Sequence, residues 1–222
     1  YTHIIFIIRI LNFCKNKTEV EYQLKAKNLA FLRASDFYPV LNRLKKARQE
    51  IAMKGMPTIF NLLGPLAHPG KVKHQVIGVY SSHLLEPMAD ALQKLKVESA
   101  VVVHCQGADE LLLCPDNKLH FVFKDAVKRQ TLDCQTLGLN YAKFSEVQGG
   151  NVETNKKIAF DIFHDKATLA QVETVLLNAA VAIYVANDGV IELEKCLELS
   201  REGLRNLRKS FFVRDNHLEE AV

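Results

Sequence analysis

The sequence predicts an α/β fold built on a parallel sheet. Three observations carry that prediction. The strand Gln75–Tyr80 is followed by Leu84, Leu85, Met88, Leu92 and Leu95 at helical spacing, and then by the apolar run Ala100-Val101-Val102-Val103-His104. Strand, amphipathic helix and strand at that separation make a βαβ unit. The second strand is continuously apolar rather than alternating, as strands buried on both faces of a parallel sheet are. Residues 167–187 form a long helix that is apolar nearly all round (Leu169, Val172, Val175, Leu176, Leu177, Ala179, Ala180, Val181, Ile183), the pattern of a buried helix.

The elements follow in order. Ile4–Ile8 is apolar but is broken by Arg9 and is too short to span a bilayer. It has no basic residue before it and no small-residue cleavage site after it. The chain starts at Tyr1, and residues 1–14 read as the trimmed edge of a longer chain or as a buried helix. A helix is expected over 18–33, with Thr18 and Glu21 as a capping box and Val20, Leu24 and Leu29 on its apolar face. Asp36-Phe37-Tyr38-Pro39 reads as a loop. A basic helix over about 39–53 follows, carrying Arg43, Lys45, Lys46 and Arg48, and Lys54-Gly55-Met56-Pro57 breaks it. The run from Thr58 to Gly70 ends in Gly64-Pro65 and then Pro69-Gly70, a loop that calls for an unusual backbone. Beyond the βαβ unit, Leu111–Cys114 and Leu119–Phe123 read as short strands around a turn at Pro115-Asp116-Asn117. Gln148–Asn151 is a loop. A last amphipathic helix covers 190–209, with Arg201, Arg205, Arg208 and Lys209 near its end, where they favour the helix dipole. The expected division is 1–56, helical, and 57–222, α/β.

Composition narrows the function. The chain has 222 residues, 48% hydrophobic and 24% charged, as in an ordinary soluble globular protein. Net charge is +4, unevenly spread: residues 1–73 carry +9 and the remainder −5. A basic front half suits a phosphate-bearing small substrate, nucleic acid, or simply a solvated helical face. Five cysteines without a C-x-x-C pair fit a reducing, cytoplasmic compartment, and read as free thiols packed as small hydrophobes. No Ser-His-Asp arrangement, zinc spacing, Walker motif or dinucleotide fingerprint is visible.

The chemistry-bearing candidates are few. Asp109 and Glu110 stand side by side just past an apolar strand, at the edge where open α/β sheets bind ligands. Hard carboxylate oxygens suit Mg²⁺, which takes one or two carboxylates plus substrate phosphates; a solvated acidic pair is the plainer reading. Arg48 can grip a carboxylate through two parallel hydrogen bonds, or only face water. His104 ends the apolar strand as a site or a structural histidine. Asn178, in the long helix, needs hydrogen-bond partners.

The order of these motifs, from about Glu19 to Arg208, resembles the latter two-thirds of anthranilate phosphoribosyltransferase. The stretches that carry the likeness are Phe31-Leu32-Arg33-Ala34 with Tyr38-Pro39; Arg48; Pro57-Thr58-Ile59-Phe60-Asn61-Leu62-Leu63-Gly64-Pro65-Leu66-Ala67-His68-Pro69; Gln75–Tyr80; Met88–Leu92; Val102-Val103-His104; Gly107-Ala108-Asp109-Glu110; Gly149-Gly150-Asn151; and Leu176–Ala180. The resemblance implies a large α/β domain of the phosphoribosyltransferase and nucleoside-phosphorylase type, with remnants of a small helical domain in 1–56. It implies a homodimer that joins anthranilate to phosphoribosyl pyrophosphate in tryptophan biosynthesis, with no membrane partner. It makes Asp109 and Glu110 the Mg²⁺-binding pair and Arg48 the grip on the anthranilate carboxylate. Tyr38 stands where the family has His, Ala52-Met53-Lys54 reads as an insertion, and Asn151 replaces a common Asp. The family's Gly-rich diphosphate loop lies upstream of the matching region, so these residues alone are expected to be an inactive piece. A non-catalytic relative that binds nucleic acid through the basic N-terminal half is the alternative.

Overall fold

The structure, a computed structural model, describes residues 13–32, 34–38, 60–124 and 126–219. The chain divides into two compact units, Tyr1–Val72 and Lys73–Val222. The boundary expected between 56 and 57 falls outside the described residues.

In the first unit β1 (Phe13–Cys14) pairs in parallel with β2 (Phe31–Leu32), and α1 (Lys17–Lys27) connects them. The helix does not start at Thr18. Asn16 caps it, accepting the Glu19 N–H at 2.9 Å, while the Glu19 carboxylate accepts the Lys15 N–H at 2.8 Å. Asn is a stronger cap than Thr, and Glu19 stands three residues on to reach back. The helix also stops earlier than expected, because Asn28 turns left-handed at φ 53° and its N–H closes on Leu24 C=O. Part of the expected loop at 36–39 is helical: α2 spans Ala34–Phe37. The basic helix expected over 39–53, Arg48 included, lies outside the described residues.

The Gly64-Pro65 stretch is helical rather than a loop. It closes α3 (Phe60–Leu66), and Gly64 has no positive φ. The helix ends one residue past Pro65, whose missing N–H withdraws a rung. The sharp backbone comes later, where Lys71 sits at φ 45° and its N–H reaches His68 C=O at 3.2 Å.

The second unit holds a four-stranded sheet in the order β3 (His74–Gly78), β4 (Ser99–His104), β5 (Asn117–Phe123), β6 (Ala126–Leu132). The βαβ unit forms as its spacing predicts. α4 (Leu85–Lys94), entered through a 3₁₀ turn at Ser82–Leu84, links β3 to β4 in parallel, with His74 opposite Ser99 and Gly78 opposite Val103. All six residues of β4 are buried. Beyond β4 the sheet is antiparallel, β4 to β5 and β5 to β6.

One strand reading changes, and one strand, β6, has no reading in the sequence. Leu111–Cys114 is buried throughout but forms no strand. Its backbone is satisfied instead by Asn117, whose side chain accepts the Leu112 N–H at 2.7 Å and donates to Leu112 C=O at 2.9 Å. An apolar run reads as a strand, yet the ladder is only one way to satisfy buried backbone. β6 has no apolar alternation, since Lys128 and Arg129 are exposed on a sheet edge; charged residues of that kind are how natural edges avoid further pairing.

Three further helices complete this unit, after the short α5 (Phe144–Val147): α6 (Val152–Phe163), α7 (Leu169–Ala186) and α8 (Leu193–Glu219). Thr168 and Gln171 cap α7 reciprocally. By length and composition α7 is apolar enough to cross a bilayer, but Leu176, Leu177, Ala180, Val181 and Val185 join the core with Val101, Val103, Leu119 and Phe121 of the sheet. The expectation of burial nearly all round gives way to one buried face, with Leu169 64% and Val175 44% exposed. Val101 and Val103 face α7, so Ala100 and Val102 point to the opposite face. There α4 packs on β4 and β5 through Leu85, Met88, Ala89 and Leu92.

Candidate functional site

The parallel strands β3 and β4 end together, at Gly78 and His104. The chain leaves β4 through a tight turn. Cys105 and Ala108 exchange backbone hydrogen bonds of 3.2 and 2.7 Å, and Gln106 and Gly107 between them have φ 47° and 88°. Two successive positive φ values are the mark of a type I′ turn. Gly107 takes its share freely, whereas Gln106 is held in a conformation that L-residues adopt at a cost of roughly 1 kcal/mol.

Asp109 and Glu110 emerge from this turn, half-buried, at the carboxyl end of the parallel pair, the edge where open sheets place ligands. Burial raises the Glu110 carboxyl above its usual range, and the Asp109 charge and a hydrogen bond between the two side chains raise it further. Two carboxyl groups held this closely favour sharing a proton or a cation. Among the described residues no three His, Cys, Asp or Glu side chains gather around a common point. The donor set is thus two hard oxygens without a closed cage, which fits an ion that completes its shell with water and substrate phosphate.

The loop is braced at two points. A Cβ added to Gly78 would lie 1.7 Å from Asp109 O, so the backbone of Asp109 rests where only glycine permits. Asn178 on α7 accepts the Leu111 N–H at 3.0 Å and donates to Leu111 C=O at 2.9 Å and to Thr174 C=O at 2.9 Å. The sequence marked Asn178 as a helix residue in need of partners, and these are the partners. Gly78 was not singled out, although a glycine inside an apolar strand is a signal of close backbone approach.

His104 is structural. Its Nδ1 lies 2.8 Å from Val79 C=O, and the Gly107 N–H approaches Nε2 at 3.4 Å. Both contacts are satisfied by the tautomer protonated at Nδ1, leaving no free nitrogen for a reacting atom. The cysteines all lie buried as free thiols. Cys105 and Cys114 bring their Sγ atoms to 2.9 Å, and burial, then the Cys114 contact, pushes the Cys105 thiol strongly up. Arg48 lies outside the described residues.

Comparison with known proteins adds to this geometry. Residues 10–206 match the family described as "Glycosyl transferase family, a/b domain". The anthranilate phosphoribosyltransferase of Staphylococcus epidermidis is 40% identical over 183 residues, 81% of this chain and 54% of that protein. The Petrotoga mobilis enzyme of the same name is 36% identical over 193 residues, 86% and 55% of the two chains. The chain therefore spans about half the length of the curated relatives it matches. Among solved structures, anthranilate phosphoribosyltransferase from Thermus thermophilus superposes with a TM-score of 0.75 at 30% identity, covering 88% of this chain and 57% of that one. The Saccharomyces cerevisiae enzyme in complex with PRPP and Mg has the same fold, with a TM-score of 0.76 at 22% identity, covering 89% and 56%. With the match running from the first described strand into the last helix, the chain belongs to this glycosyl transferase family and carries its α/β domain.

Proposed function

We propose that the polypeptide carrying this chain is an anthranilate phosphoribosyltransferase, which joins the anthranilate amine to C1 of phosphoribosyl pyrophosphate and releases pyrophosphate. One observation carries the reading: Gly107-Ala108-Asp109-Glu110 stands at the carboxyl edge of β3 and β4 with the Glu110 carboxyl raised by burial and by Asp109. The relatives' shared name supports it. In this reading Asp109 and Glu110 hold Mg²⁺. When bound, the ion supplies Lewis-acid neutralisation of the diphosphate leaving group. The two carboxyl groups are held half-buried in place by the loop, and a bound cation would favour their ionised form against the mutual repulsion that raises Glu110. Arg48 pairs with the anthranilate carboxylate and so orients its amine. The same reading makes the protein a homodimer.

The test is formation of fluorescent phosphoribosylanthranilate by the full polypeptide with Mg²⁺. Asp109→Asn and Glu110→Gln are each expected to lower kcat by roughly 100-fold, the scale of losing one electrostatic partner of the transition state. Arg48→Ala is expected to raise KM for anthranilate while leaving KM for phosphoribosyl pyrophosphate in place. Full turnover in the double variant Asp109→Asn/Glu110→Gln would refute the assignment.

A further inference from the structure

We infer that Asn178 and Gly78 are positioning residues for the acidic pair, a two-point clamp that sets where the Asp109 and Glu110 carboxylates point. The inference rests on the metal-binding reading of that pair. It goes beyond it by assigning a role to two residues that touch neither substrate nor ion.

The observations are geometric. Asp109, Glu110 and Leu111 are consecutive, and both ends of this tripeptide are fixed from outside the loop. At one end the Asp109 carbonyl lies against Gly78, so close that an added Cβ would fall 1.7 Å from its oxygen and 2.7 Å from its carbon. At the other end the Asn178 amide takes both backbone polar groups of Leu111, accepting N–H at 3.0 Å and donating to C=O at 2.9 Å. The Leu111 nitrogen belongs to the same peptide plane as the Glu110 carbonyl, so this hydrogen bond orients that plane directly. Asn178 is itself oriented, because the same amide donates to Thr174 C=O at 2.9 Å within α7. The clamp therefore ties the loop to the end of β3 on one side and to a capped helix packed in the core on the other.

A plain structural role would need only Leu111 to be buried, which its place in the core cluster already provides. Satisfying the Leu111 N–H and C=O needs one acceptor and one donor, which separate groups could supply; here one amide supplies both. The full two-way grip fixes direction as well as depth, and direction is what an ion bound through two carboxylates requires. Groups that orient metal ligands without touching the metal typically change affinity by about 10–100-fold when removed.

The experiment uses the full polypeptide and two readouts. Hydrogen exchange of the Leu111 amide, read without metal, loses protection in Asn178→Ala and in Asn178→Leu, the second filling the space without hydrogen bonds. Mn²⁺ affinity, followed by electron paramagnetic resonance, is expected to fall about 10–100-fold in both, and in Gly78→Ala. Leu197→Ala, a core truncation on α8, is the control for stability alone and leaves Mn²⁺ affinity within about two-fold. Asn178→Leu, which keeps the side chain's volume, decides the matter if Gly78→Ala, whose Cβ would meet backbone at 1.7 Å, does not fold. Asn178 and Gly78 variants that bind Mn²⁺ as tightly as the parent, while Glu110→Gln does not, would overturn the clamp and leave the metal site standing. Unchanged affinity in Glu110→Gln and Asp109→Asn would overturn the metal site, and the clamp with it.

Discussion

Asn117→Ala tests how the loop after the acidic pair is held without a strand. Asn117 is fully buried, and its side chain makes four hydrogen bonds: from Leu112 N–H at 2.7 Å, and to the carbonyls of Leu112, Cys114 and Leu132 at 2.9, 3.0 and 3.2 Å. Truncation does not orphan all four partners. The Cys114 N–H still reaches Leu112 C=O, and the Cys134 N–H still reaches Cys114 C=O. The Leu112 N–H, by contrast, keeps no other acceptor among the described residues. An orphaned buried donor costs about 1–3 kcal/mol, and each weakened carbonyl about 0.5 kcal/mol. The expected loss is about 3 kcal/mol, a large share of the roughly 5–15 kcal/mol that holds a domain together. In a thermal melt followed by circular dichroism this corresponds to a drop of about 10 °C. Urea titration should show the midpoint falling at constant slope. A loss under about 1 kcal/mol would refute the reasoning, because it would mean that Leu112 finds another partner at no cost.

Two further outcomes follow from the titrating groups. Burial pushes the Cys134 thiol up to about 11; at pH 8 iodoacetamide should therefore label it roughly 100-fold more slowly in the native protein than after denaturation, by mass spectrometry. On the acid side, the hydrogen bond from Arg129 holds Glu86 below its usual value, and the one from Lys73 does the same for Glu98. A carboxylate with a depressed folded pKa contributes stability above its unfolded value of 4.5, and that contribution is lost as pH falls through the lower folded value. Glu110 acts with the opposite sign: its raised folded value gives stability fully present below 4.5 and lost as pH rises through the raised value. Thermal melts between pH 3 and 6 should thus fall less steeply at the acid end in Glu86→Gln and Glu98→Gln than in the parent; identical slopes would count against both pairs.

Much of the second unit was legible because its signals are local and periodic. The apolar run of β4, the helical spacing of α4 and the length of α7 each follow from side-chain pattern, and the structure keeps them with shifts of a residue or two at the ends. The acidic pair was legible as a position, just past β4. What failed were readings in which a local pattern has two physical solutions. Leu111–Cys114 looks like a strand because it is buried and apolar, but a single asparagine can satisfy that backbone as well as a neighbouring strand. Thr18 and Glu21 match a capping box, but Asn16 and Glu19 match it better. Gly64-Pro65 reads as a loop from its breakers, yet the turn comes only after His68.

Sequence by itself determined the βαβ unit, the buried central strand and the order of motifs that places the chain in its family. These depend on residue type and spacing along the chain, which hydrophobic periodicity records directly. Tertiary structure alone decided which distant groups brace the acidic pair. Gly78 and Asn178 lie far in sequence from the loop, and they meet it, at Asp109 and Leu111 respectively, only because β3 and α7 pack against β4. Such contacts are set by the closing of the sheet and its covering helix, and no local pattern encodes them.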